Sequence, residues 1–380
     1  MYKVCYVATS RADYERAKQY LKYLNDDKEI ELHLLLTGAI LDKKYGSEYE
    51  EIKKDNFKVT YSLQINTDST NETDITDNMA IILKEFGRYF NRNKYDLVII
   101  FGDRYEMLSV SISAAMNKLK ILHIHGGEIT LGNYDEFVRH CITKMSKYHF
   151  TSTEVYRKRV IQLGEEPCRV FNIGAMSLEN CGNINIQKVS KKILELKNMK
   201  YFVILYHPET MTNNNSKEQI KELLQAIDSY KKKYIFIFIG SNADTGSNEI
   251  RKSIKEYVKN NNNTLFFENM NSDSYYFLVK NSIALIGNSS SGNIEAPTLG
   301  CYSINIGERQ MGRVRAKSVI DVKCEKNDIK NAIEKVVNLK KDIKFDNPYY
   351  KENSVKNAYE ITKAILNKKE DVIKKFYDIN

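Results

Sequence analysis

"DLVIIFGDRYEMLSVSISAAMNKLKILHIHGG", residues 96–127, holds two apolar runs on either side of one helical pattern. The runs near 97–101 and 121–124 are apolar at almost every position, whereas a strand with one wet face would alternate. The residues between them, 104–120, follow a helical spacing. The stretch therefore reads as strand–helix–strand, with two parallel strands buried on both faces beneath a crossover helix.

The same alternation continues outward in both directions. "KVCYVAT" (3–9), "IELHLLLTG" (30–38), "FKVTYSL" (57–63), "YHFTST" (148–153) and "CRVFNIG" (168–174) complete a first set of strands. The pattern then restarts with "YFVILYHPE" (201–209), "YIFIFIGS" (234–241), "NTLFFEN" (263–269), "IALIGNSSS" (283–291) and "CYSINIG" (301–307). At 380 residues the chain exceeds what one core comfortably fills. The sequence thus predicts two doubly wound α/β domains, 1–180 and 181–347, divided in a polar, lysine-rich stretch near 180–200. Residues 348–380 form a helical tail expected to pack back on the first domain. Two such sheets in tandem are expected to leave a ligand cleft facing the carboxyl ends of their strands.

Composition narrows the function. The chain is 42% hydrophobic and 28% charged, ordinary for a globular protein. Its formal charge of +9 comes from lysines spread beside glutamates along helical segments, without an RNA-binding or zinc-finger signature. A solvated surface or an anionic small substrate is expected, not nucleic acid. The six cysteines (Cys5, Cys141, Cys168, Cys181, Cys301, Cys324) show no CxxC pairing and read as reduced core thiols. The start lacks the features of a signal peptide, and no apolar run is long enough for a membrane span. A cytoplasmic protein without membrane insertion is expected.

The polar clusters fall at strand ends. "GNSSSG" (287–292) joins a strand to a helix start, presenting free backbone N–H groups and the positive end of the helix dipole to an anion. Ser289 and Ser290 add hydroxyls, and Glu295 can accept from ribose. It is neither a Walker A loop, which needs Gly-Lys-Ser/Thr, nor a nucleophile elbow. In "GDR" (102–104), Asp103 and Arg104 stand at a helix entrance, where an Asp is equally at home as a plain cap. In "SRADY" (10–14), Ser10 and Asp13 can cap a helix and leave Arg11 to reach an anion. In "LHIHGG", strand alternation is expected to put His123 and His125 on one face. A metal would have to be assembled from His123, His125, His140 and His207 with Asp103 or Glu128. A metal site, an acid–base site and a polar turn all fit these residues.

With these motifs in view, the chain resembles the hydrolysing UDP-N-acetylglucosamine 2-epimerases, and most nearly their polysialic acid capsule branch. The resemblance rests on "SRADY", "GDRYEMLSVSISAAM", "HIHGGEITLGNYDEFVRHCITKMSK", "TSTEVYRKRVIQLGE", "HPET", "FIGSNADTGS", "GNSSSGNIE" and "NIGERQMGRVRAKSVIDV", in that order over essentially the whole chain. It implies two Rossmann-like domains in the glycosyltransferase-B arrangement, with a UDP-sugar between them. The implied reaction releases UDP by anti elimination to a 2-acetamidoglucal, then adds water to give N-acetylmannosamine, with no metal or other cofactor.

The resemblance also implies roles. Asp103, Asp135 and His207 are expected to be catalytic. The wider family carries Glu where this chain has His125, so either His125 or Glu128 is expected to supply the second acid–base group, His125 with Glu128 assisting being the preferred form. Arg11, Arg104, Arg139 and Arg309 are expected to bind UDP or sugar, together with Asn242, Gly287, Ser289, Ser290, Ser291 and Glu295. A homodimer or higher homo-oligomer is implied. Two alternatives keep the fold: a 2-epimerase of UDP-2,4-diacetamido-2,4,6-trideoxyglucose, or a non-catalytic UDP-sugar sensor.

Overall fold

Thirteen strands and fourteen α-helices build two units among the described residues, which in this computed structural model are 1–45, 48–67, 71–131, 133–209, 216–240, 246–340 and 344–379. One unit comprises 1–128, 135–177 and 351–380, the other 129–134 and 178–350. The sequence keeps 129–134 in the first domain, whereas the structure groups it with the second unit. There the Ile129 carbonyl accepts from Arg313 Nε at 2.9 Å.

The first unit alternates strand and helix: β1 (Tyr2–Ala8), α1 (Arg11–Asp26), β2 (Ile30–Thr37), α2 (Glu48–Lys54), β3 (Val59–Leu63), α3 (Glu72–Arg92), β4 (Leu97–Phe101), α4 (Tyr105–Met116), β5 (Ile121–Ile124), α5 (Asp135–Met145), β6 (Tyr148–Thr151), α6 (Glu154–Gln162) and β7 (Val170–Asn172). The seven strands lie in the order β3-β2-β1-β4-β5-β6-β7, all parallel. Two-residue periodicity splits the sheet's side chains between two cores. Val4, Tyr6 and Ala8 of β1 face a core shared with α1, while Cys5 and Val7 face one shared with α3, α4 and α5. All five residues of β4 are buried, as two covered faces require.

The second unit starts with two short helices, α7 (Ser177–Gly182) and α8 (Lys191–Leu194). Then come β8 (Tyr201–Leu205), α9 (Ser216–Asp228), β9 (Ile235–Ile239), α10 (Ser247–Lys259), β10 (Thr264–Phe267), α11 (Ser272–Asn281), β11 (Ala284–Gly287), α12 (Ser291–Thr298), β12 (Tyr302–Ile306), β13 (Val319–Val322) and α13 (Lys326–Val337). Its six parallel strands follow the order β10-β9-β8-β11-β12-β13. The sixth, β13, is absent from the sequence reading. It is a four-residue edge strand, "VIDV", without a fully buried position, so it carries no strong apolar run.

In both sheets the chain order reverses once, between β1 and β4 and between β8 and β11. Ligands of doubly wound sheets bind outside the carboxyl ends of the strands at such a reversal. "SRAD" follows β1, "GDR" follows β4, "HPE" follows β8 and "GNSSSG" spans the end of β11. Four of the sequence motifs thus sit at the two reversal points.

The last helix, α14 (Ser354–Asn367), belongs to the first unit. Val355, Ala358, Ile365 and Leu366 enter the α1 core, and Tyr20 and Thr362 share a buried hydroxyl hydrogen bond of 2.7 Å. Beyond the helix, Lys374 Nζ caps the end of α5 by donating to the Lys144 carbonyl at 2.9 Å, and it pairs with Glu165 at 2.7 Å. Burial alone would raise the Glu165 carboxyl. A hydrogen bond from His149 and the ammonium groups of Lys144 and Lys374 instead bring it down to about 2. If α14 is core, Ile365→Ala lowers unfolding free energy by about 2–5 kcal/mol. Urea denaturation checks this, and a change below about 0.5 kcal/mol would mark the position as surface-like.

Candidate active site

Arg139 is the largest side chain with essentially no solvent contact. From α5 its Nε donates to Asp103 Oδ2 at 2.9 Å, and a second nitrogen grips the same oxygen. Its NH1 donates to the Glu128 carbonyl at 2.9 Å and to Glu136 Oε2 at 3.0 Å. A buried guanidinium needs such partners, because an unpaired charge in a dry interior costs several kcal/mol. Arg139, expected at the substrate, is therefore enclosed, while Asp103 keeps 23% side-chain exposure. Gly102, with φ of +79°, supplies the left-handed turn that lifts Asp103 off β4.

Arg104 is the N-cap residue of α4 and is partly buried, with NH2 3.0 Å from Glu106 Oε1. Asp135 opens α5 and is half-buried, where a carboxylate complements the helix dipole. Arg11 opens α1 behind a reciprocal cap: Ser10 Oγ accepts from Asp13 N, and the Asp13 carboxylate accepts from Ser10 N. Burial pushes the Asp13 carboxyl up to about 6 despite hydrogen bonds from Thr9 and Ser10.

The strand ends at Ile124, so alternation does not continue to His125. That residue takes φ of +68°, a left-handed conformation uncommon outside glycine. Its ring lies 4.8 Å from that of Phe101, and its Nδ1 is 2.6 Å from Glu128 Oε1. Ser152 Oγ donates to the same carboxylate oxygen at 2.7 Å. A carboxylate accepts only, so Nδ1 carries the hydrogen and Nε2 is left as the ring's basic nitrogen. His125 and Glu128 are 8% and 2% exposed. Such a carboxylate-backed imidazole can accept or deliver one proton. Ser152 lies in the "TSTEVY" stretch, but its partner becomes evident only when β5 and β6 lie side by side.

In the second unit, the residue that organises the site is Asn288. Its side chain clasps His207 at both backbone groups, accepting from the N–H at 2.7 Å and donating to the carbonyl at 2.8 Å. Its own carbonyl accepts from Arg309 NH1 at 3.2 Å and Gln310 Nε2 at 2.9 Å. His207, Arg309 and the serine turn are thereby fixed to one another. Gly287, with φ of +143°, must be glycine, because a Cβ would lie 2.0 Å from the Leu205 carbonyl oxygen. Ser290 occupies the N-cap position of α12, Ser291 Oγ accepts from Tyr275 at 2.7 Å, and Ser289 Oγ accepts from the Ser291 N–H at 3.3 Å. Glu295 is buried on α12. Amides at a helix start, with serines and an arginine, form an anion-binding arrangement. Asn242 lies outside the described residues.

Glu209 of "HPE" is buried and accepts from the backbone N–H groups of Glu308 and Arg309 at 2.9 and 3.2 Å. Beside it opens a cavity of about 810 Å³, walled by Glu218, Glu222, Glu308 and Glu325 with Lys221 and Lys323. That acidic lining opposes a diphosphate, which suits the serine turn better. His140 pairs with Glu136 at 3.3 Å. Among the described residues, no group of three or more His, Cys, Asp or Glu is arranged to hold a metal ion, and no helix is long and apolar enough to cross a membrane.

Two Rossmann-like α/β units with polar residues at both reversal points define the architecture of a class of solved epimerases. The Methanocaldococcus jannaschii UDP-GlcNAc 2-epimerase, solved with UDP-GlcNAc and UDP, matches with a TM-score of 0.80 at 20% identity, covering 95% of this chain and 99% of that one. The family model for UDP-N-acetylglucosamine 2-epimerase matches residues 22–363. The chain belongs to that family. It is 46% identical to the polysialic acid biosynthesis protein P7 of Escherichia coli, covering 100% of this chain and 98% of that protein. It is 38% identical to the GDP/UDP-N,N'-diacetylbacillosamine 2-epimerase (hydrolyzing) of Campylobacter jejuni, covering 88% and 87%.

Removing Arg139 leaves two carboxylates crowded without their cation. Arg139→Ala is expected to destabilise the first unit by about 3–5 kcal/mol, and Arg139→Lys to recover only part, since lysine lacks the planar fork. Calorimetric melting of both variants checks this, and a wild-type melting profile in Arg139→Ala would contradict it.

Proposed function

We propose that this chain is a hydrolysing UDP-N-acetylglucosamine 2-epimerase, converting UDP-N-acetylglucosamine and water to N-acetylmannosamine and UDP as a first step toward a sialic acid polymer. The observation that carries the reading is the likeness to the E. coli polysialic acid protein along the whole chain. The C. jejuni relative, named as hydrolysing, supports that mode over release of an intact UDP-sugar.

The chemistry has two stages. A base takes the proton from carbon 2 while the carbon 1–oxygen bond breaks and UDP departs with the electron pair, leaving a 2-acetamidoglucal. Water then gives its hydroxyl to carbon 1, and a proton returns to carbon 2 on the opposite face. Each positioned acid or base contributes about two to four powers of ten. In this reading Asp103, Asp135 and the His125–Glu128 pair move these protons. Arg139 holds Asp103 in place. In the second unit, His207, Arg309, the Gly287–Ser291 turn and the start of α12 offset the charge gathering on the departing diphosphate. Glu295 and Asn242 are assigned to ribose and phosphate, and Arg11 and Arg104 to binding of UDP or sugar.

A second substrate is favoured by a specific observation: the C. jejuni relative, and one from Legionella pneumophila at 31% identity over 96% of this chain, are named for N,N'-diacetylbacillosamine. A hydroxyl and an acetamido group at carbon 4 differ in size and polarity, which is a matter of pocket shape.

Incubation in heavy water with each nucleotide sugar separates these cases. We expect UDP and free N-acetylmannosamine deuterated at carbon 2 from UDP-N-acetylglucosamine. Intact UDP-N-acetylmannosamine as sole product would overturn the hydrolysing mode, and turnover of only the diacetamido substrate would move the assignment to that sugar. Asp103→Asn and Asp135→Asn are each expected to lose about two powers of ten or more in kcat while still binding UDP. Turnover equal to wild type in either would remove that carboxylate from the mechanism.

A further inference from the structure

The proposed chemistry gives His123 no task, yet its ring joins the two elements that carry the Asp103–Arg139 pair. His123 sits in β5 between Ile100 of β4 and His149 of β6, without solvent exposure. Its Nε2 is 2.8 Å from the Gly102 carbonyl, and its Nδ1 is 3.1 Å from Thr143 Oγ1. Burial drives the imidazole down to about 3, so it is neutral near pH 7 and carries one ring hydrogen. A carbonyl can only accept, so that hydrogen is on Nε2 and points at Gly102. Nδ1 must then accept from the Thr143 hydroxyl.

Both anchors adjoin the reactive carboxylate. Gly102 precedes Asp103, and its N–H already donates to the Ile124 carbonyl at 2.9 Å. With His123 on its carbonyl, the glycine is held at both peptide groups by β5. Thr143 lies one helical turn beyond Arg139 on α5, so it shares a face with the guanidinium that grips Asp103. The space is tight: a Cβ on Gly126 would come within 3.1 Å of both His123 Nδ1 and Thr143 Oγ1.

We infer that His123 is a positioning residue for the 2-epimerase reaction: its neutral ring sets the separation between the Gly102–Asp103 turn and helix α5, and so aims the Asp103 carboxylate. The inference rests on the functional reading above, in which Asp103 moves a proton at the sugar. It also separates the two histidines of "HIH", giving His125 the proton and His123 the geometry.

The test compares His123→Leu, His123→Gln and Thr143→Val with wild type and Asp103→Asn, measuring kcat, KM, UDP binding and melting temperature. His123→Leu, which keeps bulk and loses both hydrogen bonds, is expected to lower kcat about tenfold to a hundredfold while UDP affinity stays within about twofold. His123→Gln places an amide nitrogen where Nε2 was and is expected to restore most of the loss. Thr143→Val, which removes only the hydroxyl donor, falls between. Unchanged kcat in His123→Leu overturns the inference. Should that variant not fold, His123→Gln and Thr143→Val decide: the inference stands if glutamine keeps most of the turnover while Thr143→Val lowers kcat with UDP binding intact, and falls otherwise. A His123→Gln variant as impaired as a folded His123→Leu also overturns it, because the imidazole would then act through more than geometry. Loss in Asp103→Asn with none in His123→Leu sinks the positioning role alone. Full turnover in Asp103→Asn sinks the functional reading, and this inference with it.

Discussion

The arrangement of the first unit depends on one buried cation. Arg139 brings a full charge into a place without water, and the fold must satisfy it from Asp103, Glu136 and the Glu128 carbonyl together. Such a cluster adds little net stability compared with an apolar core of the same volume, because desolvation nearly cancels the attraction. Its value is geometric. Three segments must meet at fixed distances: the exit of β4, the turn after β5 and the first turns of α5. Asp103 and Glu136 both keep partial access to solvent, at 23% and 24% side-chain exposure. A carboxylate tethered this way keeps its direction, as the proton abstraction of the proposed function requires.

The second unit solves a different problem with neutral groups. In the proposed function this unit holds a diphosphate, which calls for many donors aimed at one place, and Asn288 supplies the frame instead of the donors. It fastens His207 by both peptide groups and receives Arg309 and Gln310 on its carbonyl. This bracket needs β8 and β11 side by side at close range. Gly287 permits that approach by having no side chain against the Leu205 carbonyl. Ser289, Ser290 and the first amides of α12 adjoin this base, and in the proposed function preorganised dipoles of this kind serve a departing anion without rearranging.

Much of this could be read in the sequence, for identifiable reasons. Strands buried on both faces announce themselves as apolar runs, and β13, the strand missing from that reading, is a four-residue edge strand with no fully buried position. The motifs at the ends of β1, β4, β8 and β11 stand out because glycine, serine and charged residues follow directly on such runs. What the sequence hides is partnership across long separations. Arg139 looks like a ligand contact until α5 is laid on the sheet, and then it is enclosed. Ser152 and Asn288 carry no local signal for the groups they hold. Strand alternation predicts one shared face for His123 and His125, and it fails because the chain leaves the extended conformation at the second of them.

That departure bears on why an imidazole can stand where the resembling family has a carboxylate. A glutamate extends one reactive group from the backbone along a flexible stem. Histidine is stiffer and has two faces to its chemistry, so one nitrogen must be tied down for the other to be aimed. Glu128 ties down Nδ1, Ser152 holds Glu128, and Phe101 supports the ring from the neighbouring strand. The left-handed backbone at His125 turns the ring off the strand and toward this carboxylate. In the proposed function Glu128 stands one group behind the imidazole, and Nε2 is the proton-carrying atom. Changing the residue at 125 thus involves its neighbours at 101, 128 and 152 as well, so a lone histidine placed on an otherwise carboxylate-adapted strand end would lack the contacts that orient it.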